Sequence, residues 1–177
     1  MHIVKHFNTI NKHKIEVMKL CFKCGLYFIG LTHDLSKYSI TEFYEGSKYY
    51  LGYKSPISNC KKQTGKSEAW LHHKGRNKHH PEYWIDGENC VLMPYKYAVE
   101  SICDRIAASK IYNKNNYSSD LVLKYWLNQK DSFKIHKSIG LFYERVFTDL
   151  IKFGEKQVIN KKYLVKTYNE CITHKGE

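Results

Sequence analysis

With 177 residues the chain has room for one domain with a sizeable core, and no run approaches the ~20 apolar residues of a membrane-spanning helix. Lys and Arg outnumber Asp and Glu by 29 to 17, a formal net charge of +12, which selects against cationic partners and suits anions: nucleotides, nucleic acid or an acidic surface. The opening Met1-His2-Ile3-Val4-Lys5-His6 lacks the pattern of a secretory signal, so a cytoplasmic location is expected and the six cysteines are read as reduced thiols.

From Phe7 to Ile29 apolar residues recur at helical spacing, which predicts one long helix, loosened near Gly25 and closed by Gly30. Cys21 and Cys24 form a CxxC inside this helix with no second CxxC to complete a zinc knuckle, so they are expected in the core. His13 lies on the same helix. Taken alone, between Lys12 and Lys14, it reads as an exposed helical histidine.

Thr32-His33-Asp34-Leu35-Ser36-Lys37 is the first stretch that carries chemistry. A His and an Asp in sequence at a helix end can offer a nitrogen and an oxygen to one divalent cation, and a carboxylate with two oxygens can bridge two. Lys37 falls one helical turn from Asp34, within reach of whatever the cation binds. Ser39-Ile40-Thr41-Glu42 then reads as a capping box, with Ser39 the cap and Glu42 reaching back, opening a helix that stops near Gly52. Tyr53 to Lys66 is polar, with Pro56 and Gly65, and reads as a loop.

The second informative stretch runs from Ser67 to Pro81 and holds two histidine pairs, His72-His73 and His79-His80, around a basic segment. On an unbroken helix the pairs would lie about 10 Å apart along the axis. Both can serve as ligands only if the helix breaks near Gly75 or if two neighbouring ions are bound. Arg76 and Lys78, between the pairs, are candidates to grip phosphate, and Asn77 and Tyr38 to support the site. A short hairpin is expected around Asp86-Gly87-Glu88-Asn89, and Pro94 suits the first turn of a helix to about Tyr112.

On that helix Glu100 and Asp104 share a face one turn apart, and Asp104 stands among small and apolar neighbours where a carboxylate needs a cation or several hydrogen bonds. Further helices are expected from Ser118 through Trp126, from Ile139 to Phe153 and from Tyr163 to Ile172. The reading is all-α, a bundle of about five to seven helices, with a metal-site core over about 7–112 and a helical scaffold over about 117–173.

The order His13, His33-Asp34, His72-His73, His79-His80, Asp104 on a helical chain resembles the HD-domain phosphohydrolase superfamily over roughly Phe7 to Tyr112. The resemblance implies a primary metal site of His13, His33, Asp34 and Asp104, with Asp34 bridging to a second ion held by His73, His79 and His80. His33-Asp34-x-x-Lys37 matches the HD-GYP branch, where the lysine contacts substrate phosphate. The chain departs from that branch in its closer histidine pairs and in lacking a Gly-Tyr-Pro element. His-Asp-Leu-Ser-Lys and the double His-His motif also resemble small HD-like proteins of bacteria and their viruses.

The implied activity is hydrolysis of a nucleotide or cyclic (di)nucleotide phosphoester, with Asp34 and Lys37 catalytic and Lys37, Arg76 and Lys78 binding substrate. The imidazole-rich ligand set suits one or two ions of Mn, Fe, Ni, Co or Zn better than Mg. The competing expectations are a non-catalytic basic module that binds nucleic acid or a signalling nucleotide, and a metal that serves as a structural staple.

Overall fold

A computed structural model describes residues 1–132 and 134–173. Among them the architecture is all-α: helices α1 (Ile3–Lys23), α2 (Tyr27–Thr32), α3 (Ile40–Lys48), α4 (Pro56–Thr64), α5 (Glu68–Arg76), α6 (Tyr95–Asn113), α7 (Asp120–Gln129), α8 (Lys137–Phe153), α9 (Glu155–Val158) and α10 (Lys161–Thr173). The expected hairpin is present as strands β1 (Ile85–Asp86) and β2 (Asn89–Cys90), antiparallel with Ile85 opposite Cys90. Among the described residues no helix is long and apolar enough to cross a membrane.

The helices exceed the expected five to seven because two expectations fail locally and because one turn of helix, α9, falls between the expected Ile139–Phe153 and Tyr163–Ile172 helices. The single helix over Phe7 to Ile29 is two, divided at Gly25, whose φ of +74° suits glycine and ends α1. Gly30 is not a cap. It sits within α2 at the crossing with α1, where an added Cβ would come within 3.0 Å of the Cys21 Cβ and 3.2 Å of the Met18 Cα. The expected loop from Tyr53 to Lys66 contains α4, with Pro56 in its first turn and Gly65 at φ +78° closing it. Its polar sequence hides two anchors: Cys60 is buried, and the Asn59 amide donates to the Tyr49 carbonyl at 2.8 Å.

Helix α6 is the axis of the fold. Ala98, Val99, Ile102, Cys103, Ile106 and Ala107 are all buried, as are Glu100 and Ser101, so the middle of the helix is enclosed on most sides and packs against α1 on one side and α7 and α10 on others. Val17, Leu20 and Cys21 of α1, Trp126 of α7, Phe142, Val146, Phe147 and Leu150 of α8, and Leu164 of α10 complete one continuous core. Each such large side chain contributes about 1.5–3 kcal/mol on burial. Cys24 is buried in the same cluster, as expected of the CxxC.

The stripe of α1 that faces inward runs His6, Ile10, His13, Val17, Leu20. His13 is therefore in helical register with core residues and only 8 % exposed, which its lysine neighbours conceal. The carboxylates Glu100 and Asp104 interrupt the apolar surface of α6 on the side that meets α2 and the segment after it.

Candidate metal centre

The centre is built on the end of α2. Thr32 closes the helix, His33 is extended (φ −51°, ψ 128°) and Asp34 is left-handed (φ 54°, ψ 29°), a conformation that L-residues other than Asn and Asp adopt at a cost of about 1–3 kcal/mol. The Lys14 ammonium donates to the Leu31 and His33 carbonyls at 2.8 and 2.9 Å, which satisfies the open end of α2. A 3₁₀ turn over Leu35–Tyr38 follows and carries Lys37 back toward Asp34. The sharp reversal turns two consecutive side chains, His33 and Asp34, into one cluster.

His13 from α1, His33, Asp34 and Asp104 from α6 each offer one donor atom, all within 4.8 Å of one another. His13 Nε2 lies 2.9 Å from Asp104 Oδ1 and 3.9 Å from Asp34 Oδ2, and His33 Nε2 lies 3.2 Å from the same Asp34 oxygen. His73, His79 and His80 form a second set within the same limit. The other oxygen of Asp34, Oδ1, is 3.4 Å from His73 Nε2 and 3.5 Å from His79 Nε2. The carboxylate thus spans both sets, one oxygen to each.

Helix α5 runs through Gly75 and ends at Arg76, and the chain turns at Asn77. That break, two residues later than expected, is what brings His79 and His80 back beside His73. Asn77 stabilises it by donating from its amide to the His73 carbonyl and to Ser36 Oγ, both at 2.8 Å. Ser67 caps the start of α5, accepting from Trp70 N at 3.0 Å.

Two further carboxylates orient the imidazoles. Glu100 Oε1 accepts from His33 Nδ1 at 2.9 Å and from His79 Nδ1 at 3.1 Å. Glu42 accepts from His73 Nδ1 at 2.7 Å through one oxygen and from His72 Nδ1 at 2.6 Å through the other. With Nδ1 held by a carboxylate, the Nε2 atoms of His33, His73 and His79 are turned toward Asp34, the arrangement in which a cation that displaces an Nε2 proton would be bound. Sequence reading missed both roles. Glu42 was expected to cap its own helix; Ser39 does cap, accepting from the Glu42 N–H at 3.4 Å, but the Glu42 side chain turns to the histidines. Glu100 carried a signal in its spacing, one turn before Asp104 on the same face.

The electrostatics follow from burial and proximity. Against the effect of burial, His33 and Lys37 beside it hold the Asp34 carboxyl well below the usual range. Asp104 is likewise held well below, burial being outweighed by contacts with His13 and His33. Burial opposes a charge on His33, yet Asp34 and its polar contacts with Asp104 and Glu100 raise it well above the ordinary imidazole value. His13 and His80 move the other way, lowered first by burial and then by the positive charge around them.

These residues fit a cation. His33 Nε2, His79 Nε2, His80 Nε2 and Asp34 Oδ1 are buried without a partner that meets hydrogen-bond geometry among the described residues. Leaving such a group unsatisfied costs about 1–3 kcal/mol. An ion coordinated by nitrogen and oxygen satisfies several at once, so the buried His and Asp groups could hold a metal ion.

The remaining candidates lie around this centre. Lys37 Nζ is 2.6 Å from Asp34 Oδ2. Tyr38 donates to Asn11 Oδ1 of α1 at 2.7 Å. Arg76 is exposed and donates to the His72 carbonyl at 3.3 Å, while Lys78 lies over the Tyr83 and Tyr97 rings. Among the described residues, neither forms an ion pair or hydrogen bond with a candidate ligand side chain.

No curated protein and no solved structure matches the chain. The model of a family of unknown function, DUF5662, matches residues 2–148, a span that holds every residue of both sets and the two carboxylates behind them. The chain belongs to that family.

Proposed function

We propose that the chain is a metal-dependent phosphohydrolase of the HD type that acts on a phosphoester of a nucleotide or a related anion. The observation that carries this reading is the buried Asp34 carboxylate, with one oxygen toward His13 and His33 and the other toward His73 and His79. His13, His33, Asp34 and Asp104 would hold one divalent ion, and His73, His79 and His80 with Asp34 a second. Ions of the Mn, Fe, Co, Ni or Zn class would lower the pKa of water toward neutrality and polarise a phosphoryl oxygen.

The protein's own groups do the rest. Glu100 and Glu42 fix the imidazoles by holding their Nδ1 protons. Lys37, kept protonated by Asp34 and Asp104 in spite of burial, places positive charge where phosphate oxygens gather and carries a proton for the leaving oxygen. The low exposure of the ligands excludes bulk water and strengthens each of these interactions.

The test is a survey of phosphomonoesters and phosphodiesters, beginning with p-nitrophenyl phosphate and bis(p-nitrophenyl) phosphate, with protein loaded separately with each of the five metals. Turnover that chelation and Asp34→Ala both abolish, with the fold retained, is expected. A fully metal-loaded protein that turns over none of them would overturn the reading, and the binding-module alternative would lead.

A further inference from the structure

The positive charge of this chain is unevenly placed. Residues 46–81 carry eight of its Lys and Arg, at positions 48, 54, 61, 62, 66, 74, 76 and 78, against a single acidic residue, Glu68. Among the described residues, Lys66 alone of the eight forms an ion pair, with Glu68 at 3.1 Å. Lys48, Lys61, Lys62, Lys66, Arg76 and Lys78 are exposed. The rest of the chain holds the other acidic residues, and several of its cations are paired with them: Lys23 and Lys110 with Glu155, Lys130 with Glu144, Lys134 with Glu88, Arg145 with Glu170.

This basic surface is joined to the metal centre. Lys61 Nζ of α4 lies 4.3 Å above the Trp70 ring of α5, and that ring meets the His80 ring edge-on at a centroid distance of 5.0 Å. One indole therefore separates this cation from a candidate ligand. Helices α4 and α5 both pack on α3, and the turn over Pro81–Trp84 packs on α5, so these segments neighbour one another.

We propose that this flank is a track for the phosphate backbone of single-stranded nucleic acid, and that a strand is the substrate class of the centre beside it. This deepens the hydrolase reading and rests on it for the second half of the claim. A mononucleotide phosphate needs one or two cations, whereas α4 and α5, each about 13 Å long at 1.5 Å per residue, spread theirs over a length that suits successive phosphates. His33, Asp34, His73 and His79 are at most 2 % exposed, so a phosphate that approaches them has to come on a narrow, flexible chain rather than a stiff duplex. A lipid surface fits less well, since the exposed large apolar side chains of this segment are limited to Leu51, Tyr53 and Leu71.

The experiment uses the full chain and a fluorescein-labelled oligothymidylate, read by anisotropy over a range of salt. Binding should weaken with salt, and Lys61→Gln/Lys62→Gln/Lys66→Gln should weaken it about tenfold at low salt and reduce the log–log salt slope by about two. Lys152→Gln/Lys156→Gln/Lys162→Gln removes the same charge from exposed positions on and beside α8, α9 and α10 and should leave binding within about twofold of the parent. Asp34→Ala should bind the oligonucleotide like the parent and fail to cleave it.

Absent binding, equal loss in both triple variants, or binding to anionic phospholipid vesicles in place of the oligonucleotide overturns the proposal. Salt-dependent binding localised to the flank, in a metal-loaded protein that cleaves no phosphoester, overturns the hydrolase reading and with it the substrate claim, while leaving the nucleic-acid track in place.

Discussion

Lys37 Nζ stands 2.6 Å from Asp34 Oδ2, the same oxygen that lies 3.2 Å from His33 Nε2. The lysine thus neutralises a buried carboxylate from the position that a cation of the first set would approach. Two opposite effects follow for Lys37→Met. The metal-free protein should lose about 2 kcal/mol of stability in denaturant, the worth of a charged hydrogen bond, while its affinity for a divalent ion should rise because a competitor for Oδ2 is gone. Isothermal titration with Mn(II) or Zn(II) reads the second effect. Weaker metal binding in the variant would show that Lys37 supports the ligands and does not compete with them.

Glu100 is the most consequential residue outside the ligand sets, since one of its oxygens serves both His33 and His79. Glu100→Gln keeps the shape and removes the charge. Metal affinity should fall about 10–100-fold with little change in helix content, the size expected of an orienting partner behind a ligand. An affinity within about twofold of the parent would assign Glu100 to packing alone.

His6 offers a pH prediction outside the ligand sets. It packs against Phe43 and Tyr50, and burial, followed by the charge of Lys37, lowers its pKa from 6.5 to about 4. The folded state therefore prefers the neutral ring: its contribution is fully present above pH 6.5 and is lost as pH falls from 6.5 toward 4. Metal-free parent protein should lose more stability over that window than His6→Leu does. Parallel stability profiles for the two would contradict the account.

The same ring makes Gly46 irreplaceable in α3. A Cβ there would fall 2.3 Å from His6 Nε2 and 2.8 Å from its Cε1, both in a buried ring hemmed by aromatics. Gly46→Ala should destabilise by about 1–3 kcal/mol despite the roughly 1 kcal/mol that alanine adds to helix propensity. Urea unfolding measures it, and a neutral or stabilising result would mean that α1 and α3 separate there easily.

Much of this was legible in the sequence because it is local. The His33-Asp34 adjacency, the histidine pairs, the Ser39 cap and the short hairpin are each written within a few residues. Asp104 was legible through a contradiction, a carboxylate among apolar neighbours. What escaped is non-local. Glu42 reads as a capping residue until α5 is seen lying against α3, and Gly30 reads as a helix end until α1 is seen crossing it. Helix α4 escaped because its polar face outweighs its two buried anchors, Asn59 and Cys60. The burial of His13 depends on its register with Ile10 and Val17, a period that the flanking lysines mask.

The central claim is that Asp34 and the histidines on either side of it hold divalent metal. The most direct measurement is elemental analysis of natively purified and metal-reconstituted protein beside Asp34→Ala/Asp104→Ala, with folding of both followed by circular dichroism. The account predicts one to two equivalents of a transition metal in the parent and loss of that metal in a variant that remains helical. A parent that neither retains nor acquires metal would contradict it.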